Sequence, residues 1–275
     1  MVYGEYMAHR EEWFNDSKFW EQYAPVMFDD KRWNEVPVVA DGITRLAGLN
    51  LYEDEEPARK SPAPPGRPRC EPAIIDFCCG FGRITLELAR RGFAASGVDI
   101  TETYLQTARE DAAYEGLDIE FIRKDVRDFK RKKAFDAAVN LYNSFGYFED
   151  PNDDFLFLKN IHFSLKDGGA LIIDVLGKEI AIRDYREAEW FERAGFTVLT
   201  ECMPVDSWGS TWNRWILIKD GRRTEKVFVQ RLYAASELRT LLFRAGFASV
   251  ELYGNWDESP YDNDAQTLIA VGIKN

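Results

Sequence analysis

The chain has 275 residues, enough for one large domain or a domain carrying an insertion. Its 47 acidic residues outnumber 35 basic ones, and the resulting net charge of −12 repels phosphate backbones, which argues against duplex nucleic acid as a partner. Four cysteines with no C-x-x-C pair, and only two histidines (His9 and His162), argue against zinc, so no metal is expected.

The opening stretch "MVYGEYMAHREEWF" lacks the basic-then-apolar order of a secretory signal, and no apolar run reaches the ~18 residues that span a bilayer. A cytoplasmic protein with reduced thiols and no membrane partner is the expectation. Residues 1–56 carry aromatics at helical spacing, among them Trp13, Phe19, Trp20 and Tyr23, and then a second helical stretch, "EVPVVADGITRLAGL". They predict an N-terminal helical cap. Residues 57–72 are proline-rich and read as an exposed linker.

From residue 73 apolar runs alternate with helical patterns. "AIIDFCC", "AASGVDI", "IEFIRKD", "FDAAVNLY" and "GALIIDVL" predict strands, separated by helices near 83–91, 102–115 and 152–166. Such alternation implies crossover connections, hence a parallel sheet with helices on both faces over 73–195. The period then changes to two. Three strands of an antiparallel meander are predicted over 196–233, with "KDGR" as the turn between the last two. A helix, "ASELRTLLFRAG", and two strands over 234–275 complete the core sheet.

The stretch "AIIDFCCGFGRITLELARRG" places two cysteines between a strand and a glycine turn. A strand ending in a carboxylate, then a glycine turn and a helix, is a plan for holding a nucleotide: glycine lets the backbone approach the ligand, and the helix start offers free N–H groups. Asp99 ends the second strand, where it can accept from both ribose hydroxyls, and Asp125 ends the third, where it can accept from an adenine amino group. A nicotinamide fingerprint is not matched, because "GFGRIT" has threonine in its last place, and Asp76 would repel a pyrophosphate. A sulfonium compound with an ammonium group meets neither objection. Cys78 and Cys79 have no basic partner nearby in sequence and read as small packing residues at a tight turn.

Together "IIDFCCGFGR", "GVDI", "KDVRDF", "FDAAVNLYNSFGYF" and "LKDGGALIID" resemble the class I S-adenosylmethionine-dependent methyltransferases, most of all bacterial small-molecule enzymes with an antiparallel insertion over the active site. The resemblance implies an α/β, Rossmann-like fold: seven mostly parallel strands with the last antiparallel, a small β-meander insertion and N-terminal helices. It implies S-adenosylmethionine as cofactor. Asp76, Cys78, Gly80 and Gly82 would form the loop against its methionine part, with Cys78 where the family has its first glycine. Asp99 and Ile100 would meet the ribose, Asp125 and Val126 the adenine, and Asn140 and Leu141 the methionine side. Arg83 would reach the cofactor carboxylate or cap a surface. Trp20 and Tyr23 of the N-terminal helix would close the cofactor side.

Methyl transfer from a sulfonium needs alignment above all, and no general base is evident. His162 reads as a structural histidine on a helix. Tyr142, Asn143 and Tyr147 fall where the methyl group would emerge and have polar tips to orient an acceptor. The meander offers Trp208, Trp212, Arg214, Trp215, Arg231 and Tyr233, and the last loop Trp256 and Tyr261. Tyr142, Asn143 and Tyr233 are the candidate catalytic residues, the others candidate acceptor contacts. The expected partner is a small-molecule acceptor methylated at nitrogen or oxygen, and the expected assembly a monomer or homodimer. Methylation of RNA or protein, and a homologue that binds cofactor without transfer, are the alternatives.

Overall fold

A computed structural model of the protein describes residues 12–49 and 71–275. Most of the expected linker, and His9, lie outside the described residues. A 3-10 turn at Trp13–Asn15 leads into α1 (Ser17–Met27), α2 (Asp30–Asn34) and α3 (Val36–Leu46). Asp16 and Asp29 start the first two of these by accepting backbone N–H groups of their first turns.

The alternating segments then form β1 (Ala73–Phe77), α4 (Arg83–Arg90), β2 (Ala94–Asp99), α5 (Glu102–Glu115), β3 (Glu120–Arg123), β4 (Phe135–Asn140), α6 (Pro151–Ser164) and β5 (Leu165–Val175). After α7 (Lys178–Arg183) come β6 (Ala188–Arg193), β7 (Phe196–Val205), β8 (Ser210–Lys219) and β9 (Arg222–Arg231). The chain ends with α8 (Ala235–Ala245), β10 (Ser249–Tyr253) and β11 (Leu268–Ile273). The main sheet has the order β10-β11-β5-β4-β1-β2-β3, and β11 alone runs antiparallel to its neighbours.

Successive side chains of a strand point to opposite faces, and the core divides accordingly. Ile74, Val139, Ile172 and Val271 pack under α3 and α4. Ile75, Phe77, Ala138 and Ile173 pack under α6 and α8. With both faces covered, the carboxylate-bearing ends of β1 to β3 and the end of β4 form one open edge.

The second sheet has four antiparallel strands, β6-β7-β8-β9, rather than three. The additional strand, β6, lies inside the segment expected to belong to the core. Left-handed Ala194 and Gly195 turn it into β7, as left-handed Asp220 and Gly221 turn β8 into β9 in the expected "KDGR" hairpin. The insertion leaves and rejoins the core at one point, where the Lys178 N–H donates to the Tyr233 carbonyl at 2.9 Å. α1 sits between the two sheets, with Trp20 against the core of the main one. Its Phe19, Tyr23 and Val26 bury against Val198, Leu217 and Phe228 of the second sheet. No helix among the described residues is long and apolar enough to cross a membrane.

Candidate active site

A cavity of about 350 Å³ opens at the carboxylate edge, between the main sheet, α1 and the inserted sheet. Its floor is the turn after β1. Cys78 is left-handed, with φ of 61°, as are Gly80 and Gly82 at 55° and 72°. Cys78 thus adopts a backbone conformation that glycine reaches most easily, at a conformational cost the surrounding bonds must hold. Its N–H and that of Cys79 both donate to the Val98 carbonyl. A Cβ at Gly80 would approach the Phe28 ring to 3.1 Å, a tight contact from which that ring would have to give by a few tenths of an ångström. Gly82 packs on the Phe121 ring and is not on the cavity wall. Burial and the nearby Asp99 and Asp76 charges push both thiols well above their ordinary range, so they stay protonated and unreactive.

Three carboxylates meet the cavity. Asp99 is nearly buried, its two oxygens accepting the Gly80 and Thr101 N–H groups at 2.8 Å each. Each oxygen keeps a lone pair for a ligand hydroxyl. Asp125 is held by the Arg127 side chain; burial alone would raise its pKa, but that fork outweighs it and keeps the carboxyl below its ordinary range. Asp76 accepts from the Thr85 hydroxyl at 2.8 Å. Burial pushes it up to about 7, the Thr85 bond only partly compensating.

Because the folded chain favours the Asp76 proton, ionisation opposes folding. The stability this group contributes is present below the ordinary carboxylate range and is lost as pH rises toward 7. Asp76→Asn is therefore expected to melt like the wild type near pH 4 and above it at pH 8, while binding S-adenosylhomocysteine more weakly. Equal melting temperatures at pH 8 would show that Asp76 carries no such strain.

Arg83 starts α4 yet is buried, donating to the Arg32 carbonyl at 2.6 Å and lying 4.8 Å from the Tyr142 ring centroid and 5.1 Å from that of Phe28. Among the described residues no carboxylate forms an ion pair with it. A buried fork without an ion-pair partner, facing a cavity, suits a ligand carboxylate. Beside it the Tyr142 hydroxyl is buried with no hydrogen-bond partner among the described residues. Tyr142 and Asn143 are both left-handed, held by the Asp174 carboxylate on the Tyr142 N–H and the Asp174 carbonyl on the Asn143 N–H. The Asn143 side chain is used by the Leu176 N–H.

Of the other residues singled out in the sequence, Trp20, Ile100, Val126, Leu141 and Tyr147 line the cavity. Asn140 is fully buried behind it, its amide donating to the Phe77 carbonyl and joining β4 to β1. Tyr23 turns away and donates to the Trp215 carbonyl.

Most of the expected acceptor contacts stand elsewhere. Arg214 bridges Glu201 and Glu225 on the far face of the inserted sheet. Tyr233 and Arg231 both donate to Asp154, at 2.7 and 2.6 Å. Trp208 packs on Tyr185, Trp256 against Gly42, and Tyr261 donates to Glu179. Of the meander residues named from the sequence, Trp215 does line the cavity; beside it the inserted sheet presents Phe191, Arg193, Phe228 and Gln230, and the N-terminal segment adds Trp13 and Phe14. Strand parity carried a signal for this: 228 and 230 share a face that 231 and 233 do not. His162 packs edge-on against Phe247, away from the cavity. Among the described residues no group of three His, Cys, Asp or Glu side chains is placed to hold a metal.

Residues 74–169 match the family described as "Methyltransferase domain". A Geobacillus sp. (strain WCH70) protein named as a methyltransferase is 26% identical over 211 residues, 72% of this chain and 83% of its own length. The CcbJ methyltransferase of Streptomyces caelestis superposes with a TM-score of 0.73 at 14% identity, over 97% of this chain and all of its own. An amino pentose methyltransferase of Micromonospora echinaspora, solved with S-adenosylmethionine bound, gives 0.63 at 18% identity, over 94% of this chain and 97% of its own. Both structures share the fold.

Proposed function

Because this chain belongs with the class I S-adenosylmethionine-dependent methyltransferases, we propose that it transfers a methyl group to a nitrogen or oxygen of a small molecule. The observation that carries the reading is one cavity of about 350 Å³ shared by the strand-end carboxylates and an aromatic wall from two separate parts of the chain. Its size and ring-lined walls suit a small, partly apolar acceptor rather than a polymer.

The residues present fit the cofactor. The free lone pairs of Asp99 suit two ribose hydroxyls, Asp125 an adenine amino group, Arg83 a carboxylate, and Asp76, once ionised, an ammonium. When bound, S-adenosylmethionine supplies an electrophilic methyl on a sulfonium. The chain's part is alignment and exclusion of water. The turn at Tyr142 and Asn143 forms part of the wall beside Arg83, and Gln230, which donates to the Asn143 carbonyl at 2.9 Å, ties the inserted sheet to that turn.

Amines are the first acceptors to test. An amine needs only to lose its proton before attack, and among the described residues the carboxylates on the cavity wall are those assigned to the cofactor. The fold shared with an amino pentose methyltransferase points to amino sugars within that class. A panel of amines, amino sugars and phenols, followed by S-adenosylhomocysteine release and product mass, should give turnover with at least one small molecule. Release seen only with RNA or protein added would overturn the small-molecule reading.

A further inference from the structure

Two residues past Asp125, Arg127 uses one guanidinium for three carboxylates from three parts of the chain. Nε lies 3.1 Å from both Asp125 oxygens and Nη2 2.6 Å from one of them. Nη1 and Nη2 grip the two Glu12 oxygens at 2.5 and 2.8 Å, and Nη1 also reaches Asp153 of α6 at 3.1 Å. The guanidinium lies 4.7 Å from the Phe148 ring centroid and 5.7 Å from that of Phe14. Its backbone carbonyl is fixed by the Asn160 amide at 2.6 Å. Planar, preorganised and four-fifths buried, this fork holds Asp125 and Glu12 in one rigid arrangement.

Glu12 is followed directly by Trp13 and Phe14, which with Trp20 form the N-terminal part of the cavity wall. The Trp13 indole N–H is buried there with no hydrogen-bond partner among the described residues. Farther along, the strap is tied to the inserted sheet: Lys226 pairs with Asp16 at 2.6 Å and Tyr23 donates to Trp215. The strap thus runs from the adenine end of the cavity to the acceptor wall, and Arg127 is its fastening at the adenine end.

A ligand seated on Asp99 and Asp125 and covered by Phe14 and Trp20 touches the fastened strap and loses those contacts when it lifts. It must therefore favour the fastened state, and fastening must tighten binding by the same factor. We propose that Arg127 is a positioning residue that couples cofactor occupancy to fastening of residues 12–27, so that the bound cofactor helps set part of the acceptor's wall. This rests on the reading of the cavity as the S-adenosylmethionine site.

Hydrogen exchange on the full chain, with and without S-adenosylhomocysteine, tests it. In the wild type the ligand should slow exchange across residues 13–20 by about tenfold or more, alongside the 76–83 loop. Glu12→Gln leaves the Asp125–Arg127 pair intact and removes the fastening charge. In that variant slowing at 76–83 should persist, slowing at 13–20 should fall below about twofold, and affinity should drop by roughly three- to tenfold. Equal slowing at 13–20 in variant and wild type overturns the coupling, as does wild-type slowing confined to the loop. Absence of any binding heat or slowing in the wild type would instead overturn the cofactor reading, and the coupling with it.

Discussion

Asp99→Ala should weaken S-adenosylhomocysteine binding by about 2–4 kcal/mol, roughly 30- to 1000-fold, with the protein still folded. The carboxylate accepts the Gly80 and Thr101 N–H groups at one side of each oxygen, and on the proposed reading the other side would accept from the ribose. Alanine removes both ligand acceptors and also frees the backbone of the glycine turn, so lost contacts and lost preorganisation add. Asp99→Asn should fall in between. One acceptor oxygen remains, but its amide places an N–H against the N–H of Gly80 or Thr101. Titration calorimetry measures the series, with melting curves as the folding control. A folded Asp99→Ala protein with wild-type affinity would remove Asp99 from the cofactor site.

Arg231→Ala should cost about 3–5 kcal/mol of stability while leaving cofactor affinity close to wild type. Asp154 is fully buried, and Arg231 is its only cationic ion-pair partner among the described residues. The same guanidinium donates to the Phe148 and Glu149 carbonyls, joining the end of the inserted sheet to the turn before α6. Truncation would strand a carboxylate whose pKa burial already raises, with Tyr233 as its remaining side-chain donor. Arg214→Ala is the contrast. Its partners are partly exposed on an outer face, so a loss of no more than about 1 kcal/mol is expected. Melting temperature and calorimetry on the same preparations decide. If Arg231→Ala melts normally but no longer turns over an acceptor, Arg231 serves the acceptor rather than the joint.

These two arginines mark where the sequence stopped being informative. Strands β1 to β5 were legible because each is a short apolar run between helical patterns, and Asp76, Asp99 and Asp125 because strand ends are visible as changes of period. The second sheet was legible as a period of two but not as a direction. Parity separates Arg214 from Trp215 and Gln230 from Arg231. Which of the two faces covers the cavity depends on how α1 packs, and that contact joins residues about two hundred positions apart. β6 was missed because "AEWFER" is an edge strand that is largely exposed and shows no apolar alternation. Trp20 and Tyr23 lie three apart and share a helical face, yet α1 sits in a seam, so one meets the cavity and the other the inserted sheet. The fork of Arg127 on Glu12 had no local signal at all, since its partners are separated by 115 positions.

The single backbone bond between Lys178 and Tyr233 has an evolutionary consequence. A segment whose two ends already touch can be replaced by one of different length with little change in loop-closure entropy, because the core sees the same closed gap. Residues 178 and 233 are therefore natural crossover points for recombination between related genes. Exchange there would carry the acceptor-facing surface as one heritable block and leave the strand-end carboxylates in the recipient unaltered. The part of α1 that buries Phe19, Tyr23 and Val26 against that block would have to co-evolve with it, so the N-terminal helix and the insertion would form one unit of selection although β1 to β5 of the core sheet lie between them in sequence.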